Sequence, residues 1–305
     1  MQTVHQNVPL FYTLLLLLGC PLLLGAQMSQ EDLLKHLEKP FAPIPSQWQA
    51  LTYDKAQALC SPLFLNPTFD KTAAVLSLMT RKTLHSKKEN QRAYLEKLLV
   101  EILVARPELN YDIWKNSSKF PKPAFTPQSQ QAIQKHLLSA PQYLDKWLML
   151  AGLVLDDPTI IRQILMDRPE KPIQQAGKLA LVRMGDQSQA RLLLKNLKRI
   201  PINDNFVYDI APLAIYTRNK QIIDFLVHAV IQNLGNCRPA DAEIAGQISC
   251  SYRLIELLAP ILEGFPLFQE GDTDWDSISS EQQMREARNW LKKNRNQLII
   301  KNQHL

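Results

Sequence analysis

A repeat in the second half of the chain limits what it can fold into. The segment from Leu150, LAGLVLDDPTIIRQIL, aligns with the segment from Leu179, LALVRMGDQSQARLLL, at an offset of 29 residues. The alignment places Asp157 on Asp186, Arg162 on Arg191, and Ile164-Leu165 on Leu193-Leu194. A third copy, LAIYTRNKQIIDFLV from Leu213, follows at an offset of 34. Ala259-Pro260-Ile261 echoes Ala211-Pro212-Leu213 more distantly. The unit reads as a helix with an Ala-containing packing face, a polar turn of two or three residues, and a Leu-rich second helix. One such hairpin cannot bury its apolar face alone, so the copies must stack on one another.

The segment Gln175-Ala176-Gly177-Lys178-Leu179-Ala180, followed by Met184-Gly185-Asp186, Ala190 and Leu192 to Leu194, resembles a HEAT-like repeat of the short, PBS-lyase-like type. The resemblance is good over 172–198, fair over 143–167 and 204–231, and weak elsewhere. It implies an all-α fold, an α-α superhelix or solenoid of helical hairpins. It also implies a surface that binds other proteins, and it carries no enzymatic activity, cofactor or metal with it.

Helical periodicity places further elements around the repeats. A short helix is expected at 29–38, capped by Ser29 with Asp32 in its first turn. A proline-rich arm follows, held down by Trp48, Tyr53 and Phe64. Residues 69–84 and 89–105 read as a helix pair. A second proline-rich stretch covers 106–127 and ends Thr126-Pro127, an N-cap with proline at the first helical position. Helices are expected at 128–138, 142–155, 158–167, 172–184, 187–199, 204–217 and 219–233. A further pair is expected over 240–263 and a last helix at 281–298, with Ser280 and Gln283 as a capping box. Strand and hairpin signals are nearly absent. The division is then 1–26 leader, 27–68 Pro-rich arm, 69–127 hairpin and Pro-rich loop, 128–267 repeats, and 268–305 acidic loop and amphipathic helix.

Glycine is scarce: nine in 305 residues, about 3% against roughly 7% on average. This excludes designs built on glycine-rich phosphate loops. Gly185, Gly235 and Gly264 are expected to end helices. Gly152, Gly177 and Gly246 are expected inside helices, where a missing side chain lets neighbours approach. Pro212 and Pro260 should kink theirs.

The first 30 residues contain no Lys, Arg, Asp or Glu, and Leu10 to Ala26 is an apolar stretch of export-signal size broken by Pro21. Three fates are open: cleavage after Ala26, lipidation at Cys20 within the lipobox-like Leu17-Leu18-Gly19-Cys20, or retention as an anchor. Each puts the body of the chain outside the cytoplasm, in a periplasm or secreted. Cys237 and Cys250, 13 residues apart, would pair in that oxidising setting, the alternative being two buried thiols. Cys60 lies in an apolar run and reads as a core thiol.

No HExxH, GxSxG, GxGxxG, P-loop or CxxC pattern occurs. The net charge of +6 is too small to imply nucleic acid. Asp224 and His228 read as a surface pair. Asp272, Asp274 and Asp276 resemble the start of a calcium loop. Ser277 and Gln283 stand where an EF-hand needs Gly and Glu, so a solvated acidic loop is expected instead. Arg253 and Glu256 are charged residues in an apolar helix. With Tyr252 and Trp275 they are the candidate partner-binding residues, the alternative being a satisfied structural pair. The expected function is an exported, non-enzymatic protein-binding scaffold. The other readings are a periplasmic enzyme or enzyme-maturation factor with its site near 250–276, and a secreted inhibitor or immunity-type protein.

Overall fold

The computed structural model describes residues 28–37, 45–66, 71–139, 141–239, 246–266 and 281–301. Cys20, Trp275, Ser280, the leader and the acidic loop lie outside the described residues. Within them the chain is all-α apart from one two-residue hairpin, and no helix is long and apolar enough to cross a membrane. It divides into two compact units between His85 and Ser86, that is, between the two helices read above as a pair.

The first unit holds Gln30–Leu37 (α1), Ser46–Ala50 (α2), Tyr53–Phe64 (α3) and Thr72–Leu84 (α4). Ser29 begins α1 as expected. Its Oγ accepts from the Asp32 N–H at 3.1 Å, and Asp32 accepts from the Ser29 N–H at 3.0 Å, so two otherwise orphaned donors are satisfied. Trp48, Cys60 and Phe64 are buried, and α3 packs on α4. The Lys82 ammonium donates to the Gln49 carbonyl at 2.8 Å, tying α4 to the end of α2.

In the second unit Lys88–Glu96 (α5) continues through a π-helical Lys97–Ile102 to Leu103–Ala105. Then come Asn110–Ser117 (α6), Pro127–Leu138 (α7), Leu144–Val154 (α8), Thr159–Asp167 (α9), Lys171–Arg183 (α10) and Gln187–Leu197 (α11). A π-helical Phe206–Ile210 leads into Ala211–Tyr216 (α12), followed by Lys220–Ile231 (α13). The hairpin Asn236–Cys237 (β1) and Ile248–Ser249 (β2) precedes Ser251–Leu258 (α14), and Glu281–Asn294 (α15) is the last α-helix. Helix α8 packs on α10, α10 on α12 and α12 on α14, while α11 packs on α13 and α13 on α15.

The polar turns of the repeat are helix caps. Asp186 Oδ1 accepts from the N–H groups of Ser188 and Gln189 at 3.0 and 3.1 Å. Asp157 accepts from the Thr159 N–H at 2.9 Å, and Asn219 from the N–H groups of Gln221 and Ile222 at 3.1 and 3.3 Å. A carboxylate or amide oxygen here fills the orphan donors of the following helix, which is why Asp or Asn recurs. In the third copy the cap falls one place before the position given by the offset.

Several details correct the sequence reading. Gly185 does end α10, with φ +97° and the Gly185 and Asp186 N–H groups bonded to Val182 and Leu181 carbonyls. At the end of α13 that role belongs to Asn233 (φ +55°), whose amide tolerates the left-handed region. Gly235 lies two residues further on, and Gly264 follows the 3-10 turn Ala259–Ile261 rather than an α-helix. Gly246 (φ +120°) is not helical: it precedes β2, and the described part of the expected 240–263 pair is α14 with its 3-10 end. The two Ala-Pro steps change the type of helix. Pro212 has no N–H for the Tyr208 carbonyl, and the turn before it is π-helical. Pro260 sits in the 3-10 turn after α14.

Candidate functional site

Helices α10 and α11 and the π-turn before α12 enclose an open groove of about 760 Å³. Its floor is apolar: Leu179 and Val182 from α10, Leu193 and Leu197 from α11, Ile210 and Leu213 from the third strip of chain. Lys171 and Lys178, exposed on α10 and seven residues apart, so about two turns, also line it, as does Asp209 of the π-turn. Leu192 reaches the groove while 55% exposed.

Local sequence holds these walls in place. Pro172 lies in the first turn of α10, where its missing N–H has no intrahelical partner to lose. Gln174 reaches back from α10 and donates to the Leu165 and Arg168 carbonyls at 2.6 and 2.8 Å, capping the end of α9. Asp186 also bridges successive hairpins, its Oδ2 meeting the Arg162 guanidinium at 2.7 Å. Hydrogen bonds from Ser188 and Gln189 hold the Asp186 carboxyl below the usual carboxylate range, with Arg162 adding to the effect. Behind the groove, Tyr216 crosses from α12 and donates its hydroxyl to the Met149 carbonyl of α8 at 2.6 Å. Full burial pushes its phenol well above the ordinary value. The Arg183 guanidinium donates to the Tyr216 carbonyl and lies 5.5 Å from its ring centroid.

The sequence-predicted residues fall in two places. Arg253 and Glu256 meet each other at 2.9 Å, both side chains mostly buried, and the guanidinium lies 5.8 Å from the Tyr208 ring centroid. They are ion-paired with each other. The bond to Glu256 raises the Arg253 pKa. Tyr252, one residue earlier on α14, lines a separate polar recess with Asn233, Arg285 and Arg288. Cys237 and Cys250 form a disulfide with Cα atoms 5.0 Å apart. Cys60 is the free buried thiol among the described residues, pushed by burial up to about 12. The Asp224–His228 pair does not form. Asp224 accepts from Lys220 at 2.9 and 3.0 Å, one turn toward the N-terminus, and the buried Nδ1 of His228 has no partner.

Sequence reasoning missed the groove itself. Its signal was the triplet Leu192-Leu193-Leu194, which spans about 200° of a helix circumference. Three such leucines cannot all face one core, and Leu192 is the one turned outward. No group of three or more His, Cys, Asp or Glu side chains is placed to hold a metal among the described residues. The chain matches no protein-family model, no curated protein and no solved structure.

Proposed function

We propose that this chain is an exported, non-enzymatic scaffold whose HEAT-like hairpins form a solenoid that holds a partner protein in the α10–α11–α12 groove. The observation that carries the reading is the groove: an open apolar floor edged by two lysines two turns apart. Apolar surface of this kind gains by being covered, and helix-in-groove recognition uses anchors at this spacing. The segment that fits is an amphipathic helix with an apolar face for the leucines and acidic residues seven apart for Lys171 and Lys178. The recurrence of cap residues at Asp157, Asp186 and Asn219 supports the repeat reading. The disulfide supports an oxidising compartment.

The test is site-directed photo-crosslinking in the cells that make the protein. A crosslinker at Leu192 should give a discrete protein adduct that disappears when Lys171 and Lys178 are both changed to Glu. A crosslinker at Met166, 79% exposed and outside the groove, should not give it. The same adduct from both positions, or its survival of the charge reversal, would overturn the reading.

A further inference from the structure

The polar recess around Tyr252 is distinct from the groove and does not depend on it. It measures about 510 Å³ and is bounded by the end of α13, the β2 strand, α14 and α15. Two arginines of α15, one turn apart, face it. Arg285 is neutralised by Glu281 at 3.2 Å, with both side chains largely exposed. Arg288 differs. Among the described residues no carboxylate pairs with it, its Nε is buried without a hydrogen-bond partner, and Asn233 is the one acceptor its guanidinium meets.

Asn233 explains how the guanidinium is held there. It occupies the left-handed position after α13, and its Oδ1 also accepts from Ser249 at 2.5 Å and Ser251 at 3.3 Å. This network joins the disulfide hairpin, α13 and α15, so Arg288 is fixed rather than free to seek water. Burial holds the Arg288 guanidinium below its ordinary pKa, with Tyr252 acting in the opposite direction. A partly buried cation with no anion among the described residues is costly, and a planar fork with unused N–H groups suits a bidentate oxyanion.

We infer that this recess binds a carboxylate, with Arg288 as the fork and Tyr252 as a second donor. Charge favours a carboxylate over phosphate. Two arginines against one glutamate leave the lining one positive charge in excess, enough to balance a monoanion. The side chains of Ile248 and Met284 add an apolar wall, which suits a carboxylate that carries a small apolar group. Such a group is presented by the C-terminus of a peptide or by a short-chain free acid.

Titration of the full, disulfide-bonded chain at constant ionic strength tests this, with binding read by calorimetry or by amide chemical shifts. The probes are N-acetyl-alanyl-leucine, the same peptide as its C-terminal amide, butyrate and inorganic phosphate. The two carboxylates should bind at least about tenfold more tightly than the amide or phosphate. Tighter binding of the peptide acid than of butyrate points to a peptide C-terminus as the source, and the reverse order to a free acid. Arg288→Gln should abolish the preference for acid over amide. Because Arg288 also holds Asn233, Tyr252→Phe serves as the second variant. It removes one hydroxyl and should weaken carboxylate binding by about threefold to tenfold with the circular dichroism spectrum unchanged. Equal affinity for the acid and the amide, affinity for phosphate matching that for carboxylate, or a Tyr252→Phe chain that binds as well as the unaltered one would overturn the inference.

Discussion

Gly152 of α8 lies directly against Ala180 of α10: a Cβ built on Gly152 would stand 2.6 Å from the Ala180 Cα and 2.7 Å from its Cβ. The Tyr216 hydroxyl would be 2.5 Å away. Here α8 and α10 meet backbone to backbone, and the missing side chain is what permits it. Alanine would gain about 1 kcal/mol of helix propensity but force backbone apart from backbone. Gly152→Ala should therefore lower stability by about 1–3 kcal/mol in urea unfolding. Gly177→Ala makes the matched comparison, since the nearest atoms its Cβ would meet belong to the Leu165 side chain rather than to backbone. That variant should stay within about 1 kcal/mol of the unaltered chain. Equal losses at both positions would mean that backbone contact is not what limits α8 and α10.

Removing the Asp186 carboxylate should cost more than its place in a surface turn suggests. Asp186→Ala leaves two N–H groups of α11 without an acceptor and releases Arg162 of the preceding hairpin. A loss of about 1–2 kcal/mol is expected, with Asp186→Asn recovering most of it, because the amide oxygen still caps. Thermal unfolding of the two variants separates the cap from the ion pair.

The Cys237–Cys250 bond closes a loop of 13 residues in sequence separation. In the chain-entropy picture this contributes about 3 kcal/mol through the unfolded state. Unfolding in the presence of a thiol reductant should shift the urea midpoint downward by a matching amount. A Cys237→Ser, Cys250→Ser double variant should show that lower midpoint with or without reductant.

Cys60 is fully buried and its thiol is pushed up to about 12, so almost no thiolate exists at neutral pH. A maleimide should leave it unmodified in the folded chain and label it at the rate of a free thiol in denaturant. Rapid labelling of the native protein would show that α3 opens readily.

His136 sets a pH dependence. Its Nε2 bonds the Asn110 Oδ1 at 3.1 Å, its ring meets Trp147 edge-on at 4.5 Å, and burial lowers its pKa below the ordinary 6.5. The unfolded chain then binds the proton more readily than the folded one. The stabilisation is fully present above about pH 6.5 and is lost as pH falls through the lower folded value. Unfolding free energies measured between pH 7.5 and 5 (about the range in which imidazole titrates) should decline, and His136→Gln should flatten that decline.

Legibility in the sequence followed the range of the interactions. The caps at Ser29 and Thr126 were readable because each acts on an N–H group three residues away. The buried stripe of α15, Met284, Ala287 and Leu291, was readable from helical spacing. Gly246 was expected inside a helix from the helical composition around it, whereas it precedes β2, which pairs with β1 beside the Cys237–Cys250 bond. That Arg253 and Glu256 meet each other was not decided by the sequence, which shows charge without showing its partner. The partner was the other member of the pair, three residues along the same helix.

The sequence by itself determined that this chain is helical and where most of its helices begin. Those properties rest on local hydrogen bonding and on the period of apolar residues, which are fixed by near neighbours. Only the tertiary structure decided which of the three leucines at 192–194 turns outward into a groove. It alone set Arg288 against Asn233, 55 residues away, with no carboxylate among the described residues to meet it. Such features depend on which distant surfaces meet once the helices stack, and no local pattern encodes that meeting.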